Sequence, residues 1–274
     1  MTDLPAEALF PPMSADAEIS FRVVLRTEYD GTDFVGFQRQ QNGRTVQEAL
    51  EDAMSQLFKK RIIVHGCSRT DSGVHASEHI SHADCPFLIP MNKFPLAMNA
   101  LLPPDVCVKD AALAPKDFHA RFDSRGKLYI YRIWNGPVRP VIDRRHVTHV
   151  PGPLNREKMH EAARILEGRH DFSAFCAQPD SGKKINPIRT MDEIRIIESP
   201  DSPLIEIRVR GRSFLYNMVR ILAGTIVYVG QGKIGTDQIE AILEGRDRRV
   251  SGKTMPPQGL TLEKVFYDRD LFSS

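Results

Sequence analysis

The chain has 274 residues, enough for two domains or one large one, and its 41% hydrophobic and 26% charged residues are the proportions of an ordinary soluble globular protein. With 37 Lys and Arg against 35 Asp and Glu, the formal charge is only +2, so any nucleic-acid contact has to come from local clustering of cations. No apolar run reaches the roughly 18 to 20 residues of a membrane span, and Cys67, Cys85, Cys107 and Cys176 are too scattered for a zinc or disulfide framework, which fits a reduced, cytoplasmic protein.

Residues 1 to 19 carry Asp3, Glu7, Asp16 and Glu18 among prolines, without the basic start and apolar middle of a signal peptide, and read as a flexible leader. From 21 to 29 the chain alternates, with Phe21, Val23, Leu25, Thr27 and Tyr29 on one face, and stops at Asp30-Gly31: a strand and a turn. Thr45 followed by Glu48 has the spacing of a capping box, and Val46, Leu50, Ala53, Met54, Leu57 and Phe58 form the apolar stripe of the helix behind it. Strands are predicted at 61 to 65, 80 to 87 and 105 to 113, with a short helix at 91 to 101.

After a hinge-like stretch at 115 to 126, the segment 127 to 135 alternates again and puts Tyr129, Tyr131 and Ile133 on one face. Asn155 is a good N-cap for a helix that buries Met159, Ala162, Ala163 and Leu166 and ends at Gly168. A polar, basic loop follows at 179 to 189, then strands at 191 to 198 and 204 to 210, a long helix at 213 to 229, a second at 237 to 244 and a closing strand at 260 to 267. The second half thus repeats the first in type. The fold class expected is α+β: two similar α/β subdomains, 20 to 118 and 119 to 272, with mostly antiparallel sheets, helices packed on one face and a cleft between the halves.

The stretch from 66 to 76, GCSRTDSGVHA, combines two glycines with Ser68, Arg69, Thr70, Asp71 and Ser72 directly after an apolar run. A strand emptying into such a loop presents either a solvated turn or a reacting carboxylate at a sheet end. Just beyond, His75-Ala76-Ser77-Glu78-His79 matches the H-x-x-E-H pattern of inverted zinc peptidases, which needs a helix to bring two histidines onto one face. Gly73 upstream and strand-like alternation after His79 argue against it. Gly252-Lys253-Thr254 resembles the end of a P-loop, but the first glycine of that motif would fall on Asp247. Arg139, Arg144, Arg145 and His146, with Arg246, Arg248, Arg249, Lys183, Lys184 and Arg189, are basic clusters readable as solvated faces or as a phosphate-tracking surface.

Taken together, Tyr29-Asp30-Gly31 with Phe34, Gly36 and Gln38, the Thr45-Val46-Gln47 helix start, Gly66 to Ala76, Phe118-His119-Ala120-Arg121-Phe122, Lys127 with Tyr129 and Tyr131, the run Phe214 to Arg220, and Pro256-Pro257 with Gly259-Leu260 closely resemble the TruA-type tRNA pseudouridine synthases, over roughly residues 20 to 270. The resemblance implies cofactor-free, metal-free isomerisation of uridine in the anticodon arm of tRNA, at positions 38, 39 and 40, by a homodimer. It places Asp71 at the catalytic aspartate, Tyr129 at the tyrosine that packs on the target base, Arg220 at the arginine that pairs with Asp71, Arg69 at the basic residue that helps displace the nucleotide, and Leu260 at an apolar pocket residue. Position alone leaves a core reading of Tyr129 as the lesser alternative and of Leu260 as an equal one, and leaves open whether Asp71 acts as nucleophile or base. Arg220 sits in an apolar helical run where an unpaired guanidinium is costly, which independently calls for a buried partner. Cys67, Ser68 and Ser72 depart from the residues usual in the family. The alternatives are a non-catalytic RNA-binding protein on the same fold and the zinc peptidase.

Overall fold

The β-branched and aromatic alternation from position 21 forms strand β1 (Phe21–Tyr29), and Thr45 caps helix α1 (Val46–Phe58) by accepting a hydrogen bond from the Glu48 amide. Glu48 does not complete the capping box; its carboxylate turns to Arg39 at 3.1 Å. Strands β2 (Val64–Gly66) and β3 (His75–Cys85), helix α2 (Phe94–Asn99) and strand β4 (Val106–Ala114) complete the first half. The second half runs β5 (Gly126–Trp134), β6 (Thr148–His149), α3 (Arg156–Leu166), β7 (Gly168–Asp171), β8 (Ile188–Glu198), β9 (Leu204–Gly211), α4 (Met218–Gly230), α5 (Gln238–Gly245) and β10 (Leu260–Phe266). Asn155 caps α3 as expected, accepting from the Lys158 amide, and Gly168 beyond its end has φ +95°. The computed structural model describes residues 20–177 and 186–272; the leader and Lys183 and Lys184 of the basic loop lie outside them.

The strands of both halves join into one ten-stranded sheet in the order β4-β1-β3-β10-β5-β9-β8-β7, with β2 beside β3 and β6 beside β5. Along that path every pairing is antiparallel except β10 with β3. The late strand β10 therefore stands at the seam, pairing with β3 of the first half and β5 of the second. Helix α1 packs on β2, α2 on β4, α3 on β8 and α4 on β5, and α3 also meets α4 and α5. Val23, Leu25, Tyr131, Ile133, Ile207 and Val209 belong to a core that runs through both halves.

Several elements differ from the sequence expectation. Strand β3 begins at His75 rather than 80, because its polar start is held by ladders to neighbours rather than by apolar side chains: Ala76 pairs with Tyr29 and with Leu262. Between Thr27, opposite His79, and Tyr29, opposite Ala76, β3 carries one extra residue, a bulge that re-aims the side chains at its start. Helix α4 begins at Met218 rather than 213, because Asn217 takes the left-handed conformation at φ 58° and leaves 213–217 as a loop. Strands β6 and β7 are short additions that no side-chain period announces.

Candidate active site

The loop after β2 is fixed from several sides. Its Cys67 amide donates to the Ile80 carbonyl at 2.8 Å, the Thr70 carbonyl accepts from the Phe37 amide at 3.2 Å, and the Thr70 hydroxyl meets the buried Tyr29 hydroxyl at 2.8 Å. The Val74 amide donates back to the Asp71 carbonyl at 3.1 Å, closing a four-residue turn whose third residue, Gly73, has φ +76°. That conformation favours glycine, and a Cβ there would stand 2.9 Å from Pro257 Cγ. Asp71 is thus presented on a turn with little freedom.

Across from it lies the start of α4. Arg220 Nη1 stands 3.7 Å from Asp71 Oδ2, with the two side chains 15% and 21% exposed. The guanidinium is aimed by other partners: Nε donates to the Met255 carbonyl at 2.7 Å and Nη1 to the Asn217 side-chain oxygen at 2.6 Å. The apolar run calls for buried partners, and the guanidinium has them in Met255 and Asn217, with Asp71, the partner the resemblance implies, at ion-pair distance. At 3.7 Å it is an ion pair too long for a hydrogen bond, so the carboxylate oxygens keep their accepting capacity. Burial raises the Asp71 carboxyl above the usual aspartate value, and the Arg220 charge opposes the rise without cancelling it.

Between the two runs a cavity of roughly 340 Å³, lined by Asp71, Arg69, Lys127, Tyr129, Phe214 and Leu260 among others. Tyr129, on β5, is buried, with its hydroxyl 2.9 Å from the Ser68 hydroxyl and its ring edge-on to Phe214 at 5.1 Å between centroids. Burial pushes the phenol well above the ordinary tyrosine value, and the Ser68 hydrogen bond opposes it. Leu260, the first residue of β10, is buried on the cavity wall. Arg69 is exposed at the rim, and among the described residues no carboxylate pairs with it. The structure therefore gathers Arg69, Asp71, Tyr129 and Leu260, drawn from both halves, around one space, with Arg220 behind Asp71 at ion-pair distance.

Lys127 also lines this cavity, a site residue that the sequence alone does not mark. Its alternation with Tyr129 and Tyr131 was the signal, since it places the lysine inward with them. Burial lowers its ammonium below the ordinary lysine value, and its Nζ reaches the Ser124 hydroxyl at 3.4 Å. Cys67 is a buried free thiol in the same wall, and burial pushes it up to about 11.

His75, Glu78 and His79 lie on β3, not on a helix, and each histidine is engaged elsewhere. His75 Nδ1 accepts from the Gly31 amide at 3.0 Å while Nε2 faces the Gln258 carbonyl at 3.2 Å; His79 Nε2 faces the Ser68 carbonyl at 3.0 Å and its ring stacks on Phe37. The basic clusters are largely occupied by the fold. Arg246 pairs with Asp171 at 3.0 Å, Arg249 with Asp247 at 2.7 Å and Arg145 with Asp33 at 3.6 Å. Arg248 donates to Ser251, Gly252 and Thr254. Gly252 itself packs on α4, its amide donating to Thr225, so the P-loop-like tripeptide is a backbone brace.

The family model described as tRNA pseudouridine synthase matches residues 26–123 and 162–268. The chain belongs to that family. It is 43% identical over 246 residues to tRNA pseudouridine synthase A of Ruminiclostridium cellulolyticum, covering 90% of this chain and 99% of the relative. It is likewise 43% identical over 249 residues to tRNA pseudouridine synthase A of Bacillus subtilis, at 90% and 99% coverage, and 42% identical over 250 residues to that of Bacillus pumilus, at the same coverage. The fold is that of a pseudouridine synthase, and the enzyme is an isomerase that converts uridine to pseudouridine. Asp71, Arg69, Arg220 and Leu260 fall inside the matched segments of the tRNA pseudouridine synthase model, and Tyr129 lies between them.

Proposed function

We propose that this tRNA pseudouridine synthase acts on uridines of the anticodon arm, with Asp71 as the reacting carboxylate, Arg220 and Tyr129 supporting it, Arg69 holding the displaced nucleotide's surroundings and Leu260 packing on the base. The observation that supports this most strongly is the placement of a carboxylate whose oxygens accept no hydrogen bond from the described residues, 3.7 Å from an arginine, in a cavity walled by an aromatic ring. The reaction breaks the bond from ribose C1′ to uracil N1, turns the uracil and forms a bond from C1′ to C5, after which the C5 proton leaves. No atom is gained or lost and no net electron is transferred, so the reaction needs no redox partner.

Each of these residues has a task in that sequence. An ionised Asp71 meets the positive charge that develops on the ribose as the base departs, either by bonding to it or by taking a proton from it. Arg220 favours the ionised form against the cost of burial. Tyr129 offers a ring face to the detached uracil and a hydroxyl, relayed to Ser68, within the cavity for the departing C5 proton. Flipping the nucleotide out of its stack costs a few kcal/mol, which contacts such as those of Arg69 offset.

The enzyme is a cytoplasmic homodimer in this reading, its halves 20 to 118 and 119 to 272 each contributing to one cleft. A single chain with a net charge of +2 has few cations to spare for a tRNA, and two copies double them. Val138, Val141 and Ile142, close in sequence, are each exposed, apolar surface that a second copy would cover. Incubating the purified protein with unmodified tRNA transcripts and mapping pseudouridine nucleotide by nucleotide tests the reading. Conversion confined to the anticodon arm is expected; product only in another arm would overturn the assignment.

A further inference from the structure

The cavity around Asp71 has a neighbour. A second cavity of roughly 230 Å³ lies on the other side of Ser68, Arg69 and Arg121, which line both. The rest of its lining includes four rings, Phe37, His65, His119 and Phe122, beside Gln38, Gln47 and Val64. His119 lies 4.3 Å from Phe122, 4.7 Å from His82 and 6.0 Å from His65 between ring centroids, so these four rings form a continuous tier. Burial and the nearby His65 lower the His119 imidazole below the ordinary histidine value, which favours a neutral aromatic face near neutral pH.

Phe122 is the unusual member. Its side chain is 71% exposed, yet the turn that carries it is rigid. The Ala120 amide donates to His82 at 3.2 Å, the Arg121 amide to His119 Nδ1 at 3.1 Å, the His119 amide to the Asp123 carboxylate at 2.8 Å and the Asp123 amide to the His119 carbonyl at 3.0 Å. A large apolar ring is thereby held out over a cavity mouth, beside two guanidinium groups that have no carboxylate partner among the described residues. Single-stranded nucleic acid is held by this combination of stacking rings and backbone-tracking cations.

Resting on the reading that the Asp71 cavity receives a flipped uridine, we propose that the second cavity receives the nucleobase next to it in the same RNA strand, stacked on Phe122 and His119, with Arg69 and Arg121 on the intervening phosphate. The physical need is plain. Extracting one base leaves its neighbour without a stacking partner, and a ring mounted one cavity away replaces it. The wall shared by the two cavities then separates two successive bases.

The test is a binding cycle in an Asp71→Asn background, where chemistry does not enter, using anticodon-arm RNA that is intact or carries an abasic nucleotide on the 5′ or the 3′ side of the target uridine. Phe122→Ala is expected to weaken binding of intact RNA about tenfold, Phe122→Trp to restore it, and melting temperature to stay constant because the side chain is largely exposed. With an abasic nucleotide on one of the two sides, the Ala variant and its parent are expected to bind alike. Unchanged binding of intact RNA by Phe122→Ala overturns the proposal, as does a loss that persists in full with both abasic RNAs. Absence of pseudouridine formation by the wild type, with the cycle intact, removes the catalytic reading and leaves the base site standing.

Discussion

Arg220 reaches Asp71 from the opposite side of the cleft, its Nη1 3.7 Å from the carboxylate Oδ2, while its firm hydrogen bonds go to Met255 and Asn217. The arginine is therefore positioned by the fold and supplies charge to Asp71 without occupying its oxygens. Arg220→Ala strands the Asp71 charge in a half-buried cleft and leaves the Met255 carbonyl and the Asn217 amide oxygen without this donor. A loss of about 2 kcal/mol in stability is expected, less than for a fully buried pair because both groups keep some solvent. Lysine cannot reproduce the fork, so Arg220→Lys is expected to recover charge but not geometry. Denaturant melts and product-formation rates check both; full activity in Arg220→Ala would contradict the role given to the pair.

Burial raises the Asp71 carboxyl, so acid inactivation should begin early. The ionised form is the reactive one, and single-turnover rates are expected to fall on acidification with a midpoint above the ~3.9 of an unperturbed aspartate. Stability carries the opposite sign. The folded state holds this proton more tightly than the unfolded chain does, so the contribution of Asp71 to stability is complete below the unfolded value and lost as pH rises through the folded one. Asp71→Asn is thus expected to melt no lower than wild type at neutral pH. A midpoint at or below the free-aspartate value is the contrary result.

Gly73 sets the aim of Asp71 rather than its chemistry. Its φ of +76° and the approach of Pro257 to 2.9 Å of a built Cβ make Gly73→Ala strained, by about 1 to 2 kcal/mol. The same strain displaces the turn that carries the carboxylate. Activity is expected to drop by more than the stability loss accounts for, with RNA affinity little changed; equal, modest losses in both would show that the turn tolerates a side chain.

Tyr129 separates into a ring and a hydroxyl. Tyr129→Phe keeps the edge contact with Phe214 and loses the hydrogen bond to Ser68, so RNA binding should persist while turnover falls about a hundredfold, the scale of an acid-base contribution. Tyr129→Leu is expected to lose both. Turnover of the Phe variant at the wild-type rate would reduce the tyrosine to packing.

The legible parts of this protein were those with a local period or cap. The apolar stripe behind Thr45, the Asn155 cap and the alternation around Tyr129 can be read directly, because propensity, burial and capping agree there. The start of β3 could not, since His75 to Glu78 is polar and held by backbone pairing to β1 and β10, one of which lies almost two hundred residues away. The start of helix α4 is not legible either, because the apolar spacing of Phe214 and Met218 continues across a left-handed Asn217. Lys127 shows the complementary case: its inward parity was visible, but only the cavity reveals that a lysine lines the same space as Asp71.

The central claim is that the Asp71 carboxylate carries the isomerisation. Pseudouridine formation and tRNA affinity, measured on the same preparations of wild type and Asp71→Asn, test it most directly. The variant should fold, bind tRNA within a few fold of wild type and form no pseudouridine. Formation at a rate near that of wild type would contradict the account.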